Sequence, residues 1–242
     1  MVLSLVIAES AIQLVPAAIQ SHPQIKQYAR RRQKNPDEVL LDRAFHNVAM
    51  KRLARVHYPI PVETMGRPDI VHNTLLQILE TPLNWEGQLR VFVHTQDDLV
   101  IWVNPLVRLP KNYTRFVGLI EQLFQERQVP RKGEALLRVE RLDLPHLIRR
   151  LRPTMVFGLS RLGQPLLMRK VAERAGKLSD PAVLIGGFPR GHFSEMTRRI
   201  TNEVYSVDRE PLDAWVVAGR FVYDFEWSLG IAENRVKPQA TK

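Results

Sequence analysis

Glycine-containing loops follow short apolar runs in the C-terminal half of the sequence. In Ala182 to Phe193 (AVLIGGFPRGHF), a β-branched segment leads to Gly186-Gly187 and then to Gly191. Val204 to Leu212 repeats this plan, and Thr154 to Ser160 (TMVFGLS) predicts a third strand that ends at its glycine. Glycine lets a ligand approach main-chain groups because no Cβ is in the way. Since the carboxyl ends of parallel strands meet at one sheet edge, we expect a single pocket there.

Three arginines lie near prolines in separate segments. Arg67 and Asp69 flank a proline at the start of a helical pattern, where helix capping explains the carboxylate but not the arginine. Arg108 lies in a loop just before a proline, and Arg115 falls in the first turn of a predicted helix. A cation there is unfavourable against the helix dipole, so we interpret Arg115 as paired or functional.

Several chemistries lack their usual markers. The sequence has no GxGxxG, GxxxxGK[ST], HExxH or GxSxG motif, and it has no cysteine. We therefore predict no metal site, and the absence of cysteine favours a cytosolic protein. No apolar run approaches the ~20 residues of a membrane span, so no membrane association is predicted.

The charge of the chain is strongly positive. Lys plus Arg number 35 against 25 Asp plus Glu, which gives a net charge of +10. A balance of this size favours an anionic partner, most often nucleic acid. The alternative is a generally basic surface without a specific partner.

The pocket and the cations must be positioned by alternating strands and helices. Apolar runs predict further strands at residues 2–8, Leu89–Thr95, Leu99–Val103 and Leu136–Val139. Helical spacing predicts helices over Glu38–Leu53, Ile70–Leu79, Phe116–Phe124, Gly163–Arg174 and Leu212–Ile231. Residues after Asn234 are interpreted as a frayed tail.

Two segments leave alternatives open. A basic cluster is interpreted as a loop that is either a solvated arm or a phosphate clamp; its members are Lys26, Arg30, Arg31, Arg32 and Lys34. The last predicted helix carries more apolar surface than one domain face usually needs. That surface indicates either a dimer interface or an ordinary buried helix.

The order of several motifs resembles a known family. RPDIVHNTLLQIL, VNPLVRLPKNYTRFVGLIEQL, GLS, LIGGFPRG and DREPLDA occur in that order from about Arg67 to Ile231. This series resembles the ribosome-biogenesis pseudouridine methyltransferases, N1-specific enzymes of small-subunit ribosomal RNA in the SPOUT, or trefoil-knot, class. The block VNPxxRxPxxxxRF is its most specific part. Archaeal members are the expected relatives.

The resemblance implies a fold and a function. The fold is α/β, a trefoil-knotted parallel sheet flanked by helices, with N-terminal and hairpin extensions. It forms one domain over residues 1–242, with the knot and cofactor pocket at about 154–231 and a basic insertion at about 20–60. The implied enzyme is a cytoplasmic homodimer that uses S-adenosylmethionine in small-subunit ribosome biogenesis, with ribosomal proteins or assembly factors as further partners. The alternatives are a non-catalytic RNA-binding assembly factor and a SPOUT methyltransferase acting on tRNA.

The resemblance also assigns site residues by position. Those implied for the cofactor are Leu159, Gly186, Gly191, Val207, Asp208, Arg209, Glu210, Pro211 and Leu212. Those implied for RNA are Arg67, Arg108, Lys111 and Arg115. Methyl transfer to a ring nitrogen also requires loss of a proton, so a base or an anion-stabilising cation is expected nearby. Asp69 as base and Arg67 as stabilising cation are both candidates, and Asp69 is alternatively expected to orient Arg67.

The sequence departs from the family pattern at three places. Lys111 stands where many relatives have arginine, which puts a bidentate phosphate contact there in doubt. Gly191 is followed by His192-Phe193, where eukaryotic relatives carry Lys-Asp. Asp208-Arg209-Glu210 is more charged than the usual loop, which leaves the adenine pocket open in detail.

Overall fold

A single eight-stranded sheet forms the centre of the molecule, whose computed structural model describes residues 1–237. The strands are β1 (Leu3–Ser10), β2 (Leu89–Thr95), β3 (Leu99–Val103), β4 (Gln128–Val129), β5 (Leu137–Arg141), β6 (Met155–Pro165), β7 (Pro181–Gly186) and β8 (Glu203–Ser206). Their spatial order is β4-β5-β3-β2-β1-β7-β6-β8. The predicted strands at the N-terminus, in the hairpin and after Leu136 are therefore confirmed within one or two residues.

The sheet has a parallel half and an antiparallel half. Strand β1 pairs in parallel with β2 and β7, and β6 pairs in parallel with β7 and β8. Strands β2, β3, β5 and β4 pair antiparallel. The prediction of a parallel sheet therefore holds only for the half built from β2, β1, β7, β6 and β8. Strand β1 is buried on both faces, which is why its sequence reads as a continuous apolar run.

Eleven helices are present within residues 1–237. They are α1 (Ala17–Gln20), α2 (Pro23–Arg31), α3 (Arg43–Arg55), α4 (Pro68–Leu79), α5 (Pro82–Trp85), α6 (Tyr113–Glu126), α7 (Leu144–Leu151), α8 (Met168–Ala175), α9 (Glu195–Ile200), α10 (Ala214–Ser228) and α11 (Ile231–Val236). Helices α4, α6, α8 and α10 cover the sheet face that carries Leu5 and Ile7. Helices α7 and α9 cover the opposite face, which carries Val6 and Ala8. None of these helices is long and apolar enough to cross a bilayer.

The basic segment folds into helices with a small core of their own. The prediction of a loop at Lys26–Lys34 is wrong, because most of this cluster lies on α2. Ile25 and Ala29 of α2 pack with Ala49 and Leu53 of α3 in a third apolar cluster. The predicted helix from Glu38 begins only at Arg43, since the preceding residues form a 3₁₀ turn and an isolated bridge. We call residues 20–60 the basic insertion.

Strand β6 is longer than its sequence indicates. It passes through Gly158 and continues to Pro165, so the predicted strand end at the glycine and helix start at Gly163 are both wrong. A Cβ at Gly163 would lie 2.5 Å from the backbone of Tyr205, so glycine permits the close passage of β6 beside β8. The chain is also still helical at Asn234, in α11, and residues 238–242 of the expected tail lie outside the described residues.

Candidate active site

A cavity of about 600 Å³ lies at the C-terminal ends of β7 and β8 and beside the middle of β6. Its walls are Leu159 to Arg161 at β6, the loop from Phe188 to Phe193 after β7, and Val207 with the following residues after β8. The three strands are parallel neighbours, so the ends of β7 and β8 lie at one edge, where β6 passes beside them. The single pocket predicted from three loops is therefore present. Its volume falls in the range typical of sites for cofactors and other small molecules.

The loop after β7 is fixed at both ends and free in between. Gly187 N–H donates to the Ala8 carbonyl at 2.8 Å, and Ser194 N–H donates to the Glu9 carboxylate at 3.0 Å. Thr197 donates its hydroxyl to the same carboxylate at 2.6 Å. Between these anchors, residues 188–193 donate no main-chain hydrogen bond to any described residue. Their N–H groups remain available to a ligand, and sequence reasoning missed the anchoring role of Glu9.

Two glycines of this loop are required for different reasons. Gly191 has a φ of +96°, and a Cβ built there would meet no atom within 4 Å. A side chain at this position would be strained and would also project into open space. By contrast, a Cβ at Gly186 would lie 2.7 Å from the Phe188 ring. Packing of Phe188 therefore constrains Gly186 in addition to any approach of a ligand.

Arg67 also lines this cavity, although it comes from the start of α4. Its Nε and Nη2 atoms each donate to one oxygen of Asp69 at 2.8 Å. This bidentate pair fixes the plane of the guanidinium group and occupies both carboxylate oxygens. The hydrogen bond and the negative charge of Asp69 raise the pKa of Arg67, so the arginine stays charged.

A second, more open cleft of about 420 Å³ shares Arg67 with the cavity. Its walls are Asp42, Arg43, Ala44, Asn47, Arg67, Asp69 and Tyr113. The Tyr113 hydroxyl donates to Asp42 at 2.5 Å, which joins α6 to the N-terminus of α3. Burial and this hydrogen bond raise the pKa of Tyr113, which keeps the hydroxyl protonated. Arg67 is thus the residue that faces both spaces.

Charged groups of both signs meet at the junction between the two spaces, where Asp42 and Asp69 lie with Arg43 and Arg67. Burial and the nearby charges of Arg190 and Arg67 lower the pKa of Arg43. Two other guanidinium groups are therefore close enough to disfavour the charge of Arg43, and an anionic group beside it would relieve this repulsion. Sequence reasoning missed Arg43, Arg190 and Tyr113, because each stands in a different loop or helix with no local signal of its own.

Comparisons with known proteins identify the family of the chain. The model of the family described as EMG1/NEP1 methyltransferase matches residues 5–226. The chain belongs to the EMG1/NEP1 methyltransferase family. The protein named "Ribosomal RNA small subunit methyltransferase Nep1" in Thermococcus kodakarensis is 43% identical over 229 residues, which cover 95% of this chain and 100% of the relative. Its namesake in Pyrococcus furiosus is 40% identical over 94% of this chain and 97% of that protein.

A solved structure of the same family is also similar. The crystal structure of Archaeoglobus fulgidus Nep1 bound to S-adenosylhomocysteine matches with a TM-score of 0.82 and 34% identity. The match covers 95% of this chain and 100% of that chain. The predicted family and α/β SPOUT-type fold are therefore confirmed. The knot and the single-domain boundaries stay predictions, because strand order and core packing alone define neither.

Most of the residues predicted for the cofactor meet in the cavity of this EMG1/NEP1 family member. Those that line it are Leu159, Gly186, Gly191, Val207, Asp208, Glu210, Pro211 and Leu212. Arg209 does not line it and is exposed. Asp208 accepts a hydrogen bond from the Glu210 N–H at 3.0 Å, so the extra charge in this loop partly serves to shape its turn.

The cations predicted for RNA do not all meet at one point. Arg67 lies at the junction, whereas Arg108, Lys111 and Arg115 are exposed and line neither space. Lys111 and Arg115 flank Tyr113, which does line the open cleft. No carboxylate within residues 1–237 pairs with any of the three exposed cations, so Arg115 is not explained by a local ion pair.

Proposed function

We propose that this protein methylates ring nitrogen N1 of a pseudouridine in small-subunit ribosomal RNA, with S-adenosylmethionine as the methyl donor. The observation that carries the proposal is Arg67, held by Asp69 and facing both the cofactor-sized cavity and the open cleft. The names of the relatives support small-subunit ribosomal RNA as the substrate. The choice of pseudouridine and of N1 rests on the resemblance of the motifs.

The cavity suits S-adenosylmethionine in its chemistry. Leu159, Val207 and Leu212 offer apolar surface for a purine ring, and the free N–H groups of residues 188–193 offer donors. S-adenosylhomocysteine, the product of methyl donation, is bound in the related Archaeoglobus structure. When bound, S-adenosylmethionine supplies a methyl group on a sulfonium. We assign its binding to the eight predicted residues that line the cavity, and Arg209, which does not line it, lies between two of them in the loop after β8.

We assign Arg67 the role of stabilising the acceptor. The N1 atom of pseudouridine carries a proton that must pass to a water molecule as the new N–C bond forms, and negative charge develops on the ring as the proton leaves. A fixed guanidinium beside that ring lowers the cost of this charge. Asp69 is better suited to positioning Arg67 than to acting as the base, because both of its oxygens already accept hydrogen bonds from Arg67. Alignment of the acceptor nitrogen with the methyl donor can itself lower the barrier by up to ~7–11 kcal/mol.

Arg108, Lys111 and Arg115 are proposed to hold the RNA. All three are exposed and pair with no carboxylate within residues 1–237, and exposed cations of this kind contact phosphates. A base that accepts a methyl group must leave its stack to reach the cavity. Cations from several segments of the protein that contact the RNA backbone would hold a folded RNA loop while one base is turned out.

The decisive experiment compares two RNA stem-loops that differ at one base. The purified protein is given S-adenosylmethionine labelled in its methyl group and a loop that carries either pseudouridine or uridine. We expect label only in the pseudouridine loop, since uridine attaches its sugar through N1 and has no proton there to lose. Equal labelling would move the target atom elsewhere. Binding of the cofactor without labelling of either RNA would favour the assembly factor, and labelling of tRNA alone would favour the tRNA enzyme.

The variant Asp69→Asn separates the two roles of the carboxylate. If Asp69 positions Arg67, kcat should fall about tenfold or more, because one charge-assisted hydrogen bond and the charge of the partner are lost. The acidic limb of the pH–rate profile should persist. Loss of that limb in the variant would instead identify Asp69 as the general base.

A further inference from the structure

Most of the excess charge of the chain is concentrated in the basic insertion. Residues 20–60 contain nine Lys or Arg and three Asp or Glu, whereas the whole chain has a net charge of +10. This segment therefore supplies more than half of the net positive charge. A small helical unit with so much charge repels itself unless the charge is paired or serves a partner.

Three of the nine cations are used inside the protein. Arg32 and Lys34 pair with the fully buried Glu121 of α6 at 2.8 and 2.7 Å. Glu121 also accepts the N–H of Leu40, so this one carboxylate ties the insertion to α6. Arg43 donates to the Val62 carbonyl. These contacts fix the orientation of α2 and α3 relative to the rest of the molecule.

The other six cations are exposed, and none has a carboxylate within 4 Å in the part of the chain that the structure describes. They are Lys26, Arg30, Arg31, Lys51, Arg52 and Arg55. Three of them lie on α3, together with two exposed apolar side chains. Phe45 is 48% exposed and Val48 is 57% exposed. We call the set Phe45, Val48, Lys51, Arg52 and Arg55 the outer face of α3.

Phe45 is held as a flat platform. Its ring lies 5.2 Å from the ring of Tyr28, which in turn lies under the guanidinium of Arg32 at 5.6 Å. Because Arg32 is paired with Glu121, the whole stack is anchored to α6. An exposed aromatic ring that is rigid loses little conformational entropy when another ring stacks on it.

The outer face of α3 begins at the open cleft. Ala44 and Asn47 line the cleft, and Lys51 follows Asn47 by one helical turn. Arg55 follows Lys51 by another turn. At 1.5 Å per residue, the cations extend about 12 Å from Asn47 along the helix axis. A chain leaving the junction at Arg67 can therefore run along α3 without a gap.

We propose that the outer face of α3 binds the single-stranded RNA next to the target nucleotide. This inference rests on the proposed function and extends its substrate site. Lys51, Arg52 and Arg55 contact successive phosphates, and Phe45 stacks on a base. Cations combined with an exposed aromatic ring are the pattern of single-strand binding, because a duplex hides the faces of its bases.

The test uses a minimal loop RNA and the same RNA lengthened on both sides by unpaired nucleotides, with binding measured over a range of salt. Lengthening should tighten binding to the wild type. The double variant Lys51→Glu/Arg55→Glu should lose at least tenfold more affinity for the long RNA than for the minimal one. Its slope of log K against log salt on the long RNA should fall by about 1.4, at roughly 0.7 per lost contact.

The control is Arg149→Glu/Arg198→Glu, which makes the same change in charge. Both arginines are exposed, on α7 and α9 at the opposite face of the sheet. The control should stay within twofold of the wild type on both RNAs. Phe45→Ala should weaken binding of the long RNA about fivefold or more without changing the salt slope. Thermal denaturation of each variant checks that it is folded.

Two results would overturn the proposal. One is equal binding of the two RNAs by the wild type, and the other is equal loss in the Lys51/Arg55 variant and its control. Methylation of the minimal RNA by the wild type is measured in parallel. If the minimal RNA binds but is not methylated, the proposed function fails. The proposed RNA path along α3 is still tested by comparing the binding of the minimal and the lengthened RNA.

Discussion

Arg67 and Asp69, separated by one proline, form a fixed ion pair at the start of α4. Proline at the first position of α4 fixes the backbone, and Asp69 then reaches back to the arginine that precedes it. The carboxylate that suits the positive end of the helix thus also holds the guanidinium. Lysine could not replace Arg67, because it has no planar fork to be held by two oxygens.

A side chain at Gly191 should prevent binding of the cofactor. Gly191→Val places a β-branched side chain at a φ of +96° and into open space on the cavity wall. We expect S-adenosylmethionine binding, measured by calorimetry, to be abolished while circular dichroism stays unchanged.

Gly133→Val is the matched control for this variant. Gly133 has a φ of +88°, and a Cβ there also meets no atom within 4 Å, but it lies outside the cavity. The control should carry a similar backbone strain and still bind the cofactor like the wild type. If Gly191→Val binds within twofold of the wild type, the loop after β7 is not the wall of the cofactor site.

A buried histidine lies at the contact between α2 and α3 in the basic insertion. His46 of α3 is fully buried, accepts the N–H of Asp42 at 3.0 Å and lies edge-on to the ring of Tyr28. Burial, together with the charge of Arg32, lowers the pKa of His46 from 6.5 to about 4. The helix is therefore built to contain a neutral histidine.

Acid should destabilise the protein through His46. Between pH 6.5 and about 4, histidine binds a proton in the unfolded chain but not in the folded one. Unfolding is therefore favoured as the pH falls through this window, by roughly 2–3 kcal/mol at its lower end. Urea denaturation at pH 7 and at pH 4.5 measures the difference.

Two variants isolate this contribution. His46→Asn keeps an acceptor for the Asp42 N–H but does not titrate, so its stability should depend less on pH than that of the wild type. His57→Asn removes an exposed histidine just after α3 and should keep the dependence of the wild type. The same pH dependence in both variants would refute the role of His46.

The surface of α10 bears on the assembly of the whole molecule. The apolar residues of this helix divide into two sets. Phe221, Val222 and Phe225 are buried against the sheet, as an ordinary core helix requires. Tyr223 and Trp227 are 56% and 41% exposed, and their rings lie 6.3 Å apart. The alternative of an ordinary buried helix therefore describes one side of α10, and the dimer interface stays a prediction for its exposed side.

We predict that the exposed side of α10 forms the interface of a homodimer. Sedimentation at low micromolar concentration should give a mass of about 56 kDa, twice the 28.0 kDa of the chain. Tyr223→Glu should shift the mass towards that of the monomer, because a charge would be buried in the interface. Met196→Glu, at an exposed position on the other face of the sheet, should not. A wild-type monomer that methylates RNA would exclude a dimer as the active form.

The sequence by itself determined most of the strands and the glycine-containing loops, and its excess of positive charge favoured an anionic partner. Short apolar runs gave β1, β2, β3 and β7 nearly to the residue, because burial on a sheet imposes a local pattern. The three loops and their glycines predicted the cavity, because parallel neighbours must end at one edge. The motifs also predicted the family, since they stand in the same order along the chain as in its members.

Only the tertiary structure decided which distant residues meet. Tyr113 donates a hydrogen bond to Asp42, 71 positions away in the sequence, and Lys34 forms an ion pair with Glu121, 87 positions away. The extension of β6 past Gly158 likewise depends on the backbone of β8 beside it. Periodicity describes one element at a time, whereas these contacts arise when elements pack together. Because of this packing, Arg67 lines both the cavity and the open cleft. Packing also places the basic residues of α3 on one helix face that begins at the cleft.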